Sequence, residues 1–447
     1  MTSLYLPTRR EFLRGSASLA TSAMWLPSTM RTAPLEGRLR LASIGVGGMG
    51  SSDLGQFLGH PNIDVVALCD IDASNLAGAA KRAPGAATFV DWREMLETMG
   101  DRFDAVNVAT PDHTHAPASM SAIQMGKHVY CQKPLTHNVY EARQLRLAAA
   151  EHEVVTQMGI QIHSHGAYRT AVKIIRDGTL GKIKEVHSWS NKSWGYEGSK
   201  PIASEVPDGV DWDKWIGTAP MRPYSKGHYH PGNWRRWCDF GCGTMGDMGI
   251  HILDPVANAI GLGLPTSIVS FSKPSPPKDS HAASNQVEYT FAGTEYVVPG
   301  FQLTWYDGGM SPDKSDWPVT NLPGQGSMFI GEKGFMLLPH VGDPQLLPAA
   351  DFKDYEIPTQ AGANHYHLWA DACLGEGKTT AGFDYAGPLT EVLLLGVIAN
   401  RFPTQRLEFD ADKLAITNFA EADQLLRREY RDGWKVPKRD VYLRQAK

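Results

Sequence analysis

The sequence predicts an α/β chain in two parts, a parallel sheet wrapped by helices and then a region of antiparallel strands with further helices. Three observations predict it. From Arg38 to about Gln161 short apolar runs alternate with helical ones, which is how parallel strands joined by crossover helices read. Beyond about residue 183 the apolar residues recur with period two, the mark of strands with one covered face. The first strand also runs straight into a glycine-rich turn that opens a helix.

The elements follow in order. TRREFLRGSASLATSAMWLP sets Arg9 and Arg10 beside Phe12 and Leu13, ahead of a weakly apolar stretch from Gly15 to Leu26. This resembles a twin-arginine export signal, with a disordered basic tail as the alternative. Residues 1–36 are therefore read as a leader, cleaved near 27 to 36, and the remainder as exported to a periplasmic or extracytoplasmic space. No later stretch is long and apolar enough to span a bilayer. Next come the strand RLRLASIG, a helix through Leu58, the strand IDVVALCDI and a helix near 73 to 82. FDAVNVAT, a helix through 116 to 125, HVYCQKP and the helical NVYEARQLRLAAAEHE complete the first part. The boundary falls near 160, giving domains 37–160 and 161–447, the C-terminal helices being able to pack back on the first.

In the second part NQVEYTFA places Val287, Tyr289 and Phe291 on one side, and FQLTWYD does the same with Phe301, Leu303 and Trp305. Residues 195–243, rich in Pro, Gly and Trp, are too irregular for regular structure and too aromatic for a disordered linker, and long loops of this kind line sites. Helical patterns return at 364–377, 387–402 and 418–431.

Composition narrows the function. Among 447 residues, 43 Lys and Arg against 48 Asp and Glu leave a net charge of −5, without the long basic run of a nucleic-acid binder. Five cysteines without framework spacing do not read as a disulfide scaffold.

IGVGGMG sets Gly45, Gly47 and Gly50 in G-x-G-x-x-G spacing, with Gly48 and Met49 between. Such glycines permit the tight turn and let helix N-terminal amides approach a pyrophosphate. Asp70 ends the next strand twenty residues on, where a carboxylate accepts hydrogen bonds from an adenosine ribose and repels a 2′-phosphate, favouring NAD over NADP. Asp72 either shares that role or faces water. In ATPDHTH, Thr110 and Pro111 fall at the sheet's carboxyl edge; His113 reads as structural and His115 as either a cofactor contact or a loop histidine.

HVYCQKPLT ends a buried strand on Lys133, whose charge burial penalises unless something uses it. Pro134 narrows the backbone at that residue, which aims the side chain. In GCGTMGDMGIHILD, Asp247 and His251 lie four apart on a probable helix, so the carboxylate can orient the imidazole. Alone, such a pair reads more often as a helix-start carboxylate and a core histidine. Cys238 and Cys242 with His251 make a poor zinc signal, and no metal is expected.

Taken in order, GVGGMG, CDID, ATPDHTH, YCQKP and GDMGIH resemble the glucose-fructose oxidoreductase and inositol dehydrogenase family (Gfo/Idh/MocA), over nearly the whole chain after residue 37. The resemblance implies a Rossmann domain joined to an α+β domain with a large, open, mostly antiparallel sheet, assembly into a homo-oligomer (dimer or tetramer), NAD, and chemistry on carbinols of sugars and cyclitols. It matches Lys133 to the family's E-K-P lysine and Asp247 and His251 to its second-domain pair. Gln132 replaces the usual glutamate, which implies a lysine less firmly held. Tyr168, Trp194, Trp234 and Arg235, with His251, are the preferred substrate contacts. His230, Trp305, Tyr306, His365 and Tyr366 are further candidates for stacking on a sugar face or bonding its hydroxyls.

Overall fold

The computed structural model describes residues 37–273 and 278–436, so the leader assigned to residues 1–36 lies outside them. Among the described residues the strands form two principal sheets. The first contains β1 (Leu39–Ile44), β2 (Ile63–Cys69), β3 (Ala87–Phe89), β4 (Ala105–Val108), β5 (His128–Gln132) and β6 (Thr156–Gly159). Its order is β3-β2-β1-β4-β5-β6, and every pairing is parallel. The order reverses between β1 and β4, and at such a switch point the helices diverge and leave a crevice at the carboxyl ends of the strands.

Helices Gly48–Leu58, Ala73–Arg82, Asp112–Gln124 and Val139–Glu151 cover this sheet. Local chemistry starts two of them: the Asp72 side chain accepts from Ser74 and Asn75 amides, and Asn138 with Glu141 forms a capping box. Helix Trp92–Met99 and β3 went unread in the sequence, because a three-residue strand is too short to show a period.

The second sheet joins β7 (Ile183–Ser190), β8 (Ser267–Ser270), β9 (Asn285–Thr290), β10 (Val297–Asp307), β11 (Gln325–Gly331), β12 (Phe335–Pro339), β13 (Gln345–Leu347), β14 (Leu407–Asp410) and β15 (Ala415–Ile416). Its pairings are antiparallel except that of β7 with β10. Val287 and Tyr289 on β9, and Phe301, Leu303 and Trp305 on β10, are fully buried, as the alternation requires. Helices Gly166–Arg176 and Ile250–Ile260 pack on one another, the latter also against β7 and β11.

Helix Phe383–Ala399 lies along helix 139–151, and Arg143 grips the fully buried Glu391 in a fork, Nε and Nη2 donating to its two oxygens at 2.8 and 2.7 Å. The helix expected at 418–431 is a correction. Helical turns stop at Leu426, and Arg428 and Tyr430 instead reach back to Glu141.

Segment 195–243 holds its shape with an aromatic cluster of its own. Trp212 stacks on Trp215 at 4.7 Å, and Tyr224, Tyr229, Trp237 and Phe240 pack around them. Backbone bonds from Ala73 to Gly209 and from Asp211 to Ile71, each 2.9 Å, tie it to the first sheet's edge.

Candidate active site

A cavity of about 760 Å³ opens at the carboxyl ends of β1, β2, β4 and β5. Gly45, Gly47, Gly48, Met49, Asp70, Thr110, Pro111 and Lys133 line it. Gly45 has φ +78°, and a Cβ there would sit 2.6 Å from the Ala109 carbonyl, so only glycine makes this turn. Gly48, φ +48°, has open space above it. The helix it begins has neither a side-chain cap nor an acidic residue in its first turn, leaving its amides and positive dipole end for an anion. Gly50 is a correction: it does not line the cavity. A Cβ there would meet the Gly45 carbonyl at 1.9 Å, so its role is close packing of helix on turn.

Asp70 Oδ2 accepts the Val46 and Gly47 amides at 2.8 and 3.1 Å, bracing the turn from the next strand, and burial raises its pKa. Asp72 serves as the helix cap described above. The cradle, free helix end and carboxylate fit NAD, with pyrophosphate at Gly47 and Gly48 and ribose at Asp70. When bound there, NAD supplies the hydride acceptor or donor.

At the far end of this cleft Lys133 Nζ donates to Asp247 Oδ1 at 2.8 Å and to the Asp247 carbonyl at 3.0 Å. Arg235 Nε donates to the same Oδ1 at 3.2 Å, and Trp194 Nε1 to Oδ2 at 2.7 Å. Burial opposes ionisation of Asp247, yet the Lys133 and Arg235 charges and these bonds hold its pKa well below the usual carboxylate range.

The expected service of Asp247 to His251 is thereby corrected. Met245–Gly249 form a π turn ahead of the α-helix, and Asp247 lies within it. Both Asp247 oxygens are occupied by Lys133, Arg235 and Trp194, and His251 Nδ1 is buried with no hydrogen-bond partner. Burial, then the Lys133 charge, keeps the pKa of His251 well below that of a free imidazole, so its ring is neutral near pH 7.

Gln132 corrects another expectation. Its Nε2 donates to both Asp53 oxygens, at 3.0 and 2.9 Å, while Lys133 is held from the other domain by Asp247. Burial raises the pKa of Asp53 to about 6.

His115 is no cofactor contact: it is 1% exposed, and its two ring nitrogens meet the Pro134 and Thr110 carbonyls at 2.8 and 2.7 Å. Two carbonyls can only accept, so both nitrogens carry protons and the ring is an imidazolium. Burial would lower its pKa, but Cys131, Asp112 and the Pro134 carbonyl outweigh it and raise it to about 9. His115 thus pins the Thr110 turn to the loop after Lys133. His113 is structural as read, buried with Nε2 on the Trp215 carbonyl.

Of the substrate candidates, Trp234 and Arg235 line the cavity, Trp194 bonds Asp247, and His230 faces the cleft beside Asp72. Tyr168 is a correction: it is buried, its hydroxyl 2.7 Å from His340 Nδ1. Trp305, Tyr306, His365 and Tyr366 belong to packed interiors, with Trp305 on Asp307 and Tyr366 on Asp53. The thiols of Cys238 and Cys242 turn to His281 and to the Thr136 and His137 carbonyls, away from His251. The sequence reading missed Asp112, which accepts the Cys242 amide from within ATPDHTH, and His340, whose loop carries no local signal.

Residues 39–160 match the model of an oxidoreductase family with an NAD-binding Rossmann fold, and residues 168–303 match that family's C-terminal alpha/beta domain. An inositol 2-dehydrogenase from Rubrobacter xylanophilus is 29% identical over 156 residues, 34% of this chain and 44% of that protein. A glycosyl hydrolase family 109 protein from Stenotrophomonas maltophilia is 37% identical over 143 residues, 29% of this chain and 30% of that protein. The matched stretches therefore span less than half the length of either relative. The WlbA dehydrogenase from Bordetella pertussis, solved with NADH and UDP-GlcNAcA, superposes with a TM-score of 0.60 at 16% identity, covering 84% of this chain and 100% of that one.

Proposed function

The chain belongs to the Gfo/Idh/MocA oxidoreductase family, and from that premise we propose that it oxidises or reduces a carbinol of a sugar, cyclitol or glycoside with NAD. The observation that carries the reading is the 2.8 Å pairing of Lys133 with Asp247, which brings a charged donor from β5 and a carboxylate from the second domain to one end of the nucleotide cleft. Lys133 donates to the substrate oxygen that becomes a carbonyl, stabilising charge that develops there. His251, neutral and one helical turn beyond Asp247, takes the hydroxyl proton or returns it. Asp247 holds the ammonium in place and aims it. Trp194, Trp234 and Arg235 form the sugar-facing wall, and the protein works as a homo-oligomer.

The leader of residues 1–36 adds export by the twin-arginine route, and with it a cofactor that stays bound and is restored each cycle. Segment 207–235, which walls the cleft opposite the glycine turn, supports retention. The relation to a family 109 glycosyl hydrolase favours one second reading: transient oxidation of a glycoside, elimination and hydrolysis, with no net redox change. Incubation with aryl glycosides in deuterated water tests both. Ketone or lactone product supports net oxidation, aglycone release with deuterium in the sugar supports elimination, and no conversion across a sugar, cyclitol and glycoside panel discards the enzyme. Denaturing purified protein and assaying the supernatant for NAD(H) tests retention.

A further inference from the structure

The charges around this centre do not balance. Lys133 and Arg235 share the single carboxylate of Asp247, and the buried Asp112 lies beside the imidazolium of His115. A third cation, Lys192, follows β7. Its main chain is fixed, the amide donating to Ser190 Oγ at 3.2 Å and the carbonyl accepting the Gly308 amide at 3.0 Å. Among the described residues its ammonium bonds only the Met248 thioether, at 3.3 Å, a weak acceptor for a full charge. Met248 stands between Asp247 and His251, so Lys192 reaches the same turn of helix.

On the other side of His251, at 5.9 Å between ring centres, lies His340, half-buried with Nδ1 taken by Tyr168 and Nε2 left for a ligand. Neither histidine supplies a negative charge, and the Lys192 and Lys133 charges help burial keep both neutral. The cluster of Lys133, Arg235, Lys192, His251 and His340 therefore carries two cations more than its carboxylate can match. Such an excess repels itself unless an anion enters with the substrate.

The geometry points to a sugar bearing an anionic substituent, a carboxylate, phosphate or sulfate, as the substrate class, with Lys192 and His340 holding that group while the carbinol lies at Lys133 and His251. This rests on the carbinol reading above for where the sugar sits. An oxyanion there accepts a charge-assisted bond from the ammonium and a neutral one from the imidazole.

Isothermal titration of the NAD-loaded full chain tests it with hexuronates, hexose 6-phosphates and hexose 6-sulfates, each against its neutral parent hexose, with absorbance at 340 nm followed in parallel. The expected result is at least tenfold tighter binding of one anionic set than of the neutral parents, weakening with salt. Lys192→Met should reduce that preference about tenfold and Lys192→Glu abolish it, with NAD binding retained in both. Neutral hexoses binding as tightly, no anionic sugar binding, or a preference untouched in Lys192→Glu would each overturn the inference. Tight anionic binding with no change at 340 nm sustains it while counting against net oxidation.

Discussion

Lys133 Nζ lies 2.8 Å from Asp247 Oδ1, joining the last residue before the Pro134 turn to a π turn more than a hundred residues downstream. With Lys133 donating to the reacting oxygen and His251 moving the proton, Lys133→Ala and His251→Ala each lower kcat by about 10²–10⁴-fold while NAD still binds. Steady-state kinetics with fluorescence titration of NAD separates the two effects, and near-normal turnover in both variants refutes the assignment.

His251 should remain a neutral base well into acid. Its pKa lies below that of a free imidazole because burial and the Lys133 charge disfavour the protonated form. In the oxidation direction the acid limb of kcat/KM is therefore expected below pH 6.5. Replacing Lys133 with Met removes a positive neighbour, so the imidazole titration, followed by NMR, moves up towards that value; a downward move would contradict the electrostatics.

His115 ties stability to pH. Its folded pKa, about 9, exceeds that of an unfolded histidine, so its contribution is fully present below about pH 6.5 and is lost as pH rises through 9. The loss is on the order of 3 kcal/mol. Urea unfolding of His115→Gln at a series of pH values should show a lower plateau in acid and a flatter profile between pH 6.5 and 9 than the parent.

Restoring the family glutamate should harm this chain. Gln132→Glu would set a second carboxylate against Asp53, which loses two amide hydrogen bonds and is already pushed up to about 6. A cost of about 2 kcal/mol or more at pH 7 is expected, measured by urea midpoint. The double change with Asp53→Asn should recover most of it.

Arg143→Met strands the fully buried Glu391 without its bidentate partner. Breaking one side of a buried pair costs about 3–5 kcal/mol. Thermal unfolding should show it, and Arg143→Met with Glu391→Leu should regain much of the loss.

Legibility in the sequence followed the range of the interaction. The parallel sheet could be read because each strand and helix repeats locally, and Gly45, Gly47 and Asp70 because their roles are set by their own turn and the next strand. Lys133, Asp247 and His251 were found by motif, but their wiring was misread, since four-residue spacing cannot show that Lys133 and Trp194 reach the Asp247 oxygens from distant parts of the chain. Tyr168 and His115 looked like ligands because polar aromatics and histidines suit sites. Their partners, His340 and the Pro134 carbonyl, come from elsewhere in the fold and carry no mark in the neighbouring sequence. Gln132 looked like a loss until Asp53, on the helix after β1, appeared as its partner.

The stacked rings of segment 195–243 have an evolutionary corollary. Trp212, Trp215, Tyr229 and Phe240 hold one another while His230 and Arg235 stand at the margin of the cluster. Such an arrangement separates the anchorage of a recognition loop from its vocabulary, so descendants can exchange the marginal residues for new sugars while the ring stack keeps the loop in place.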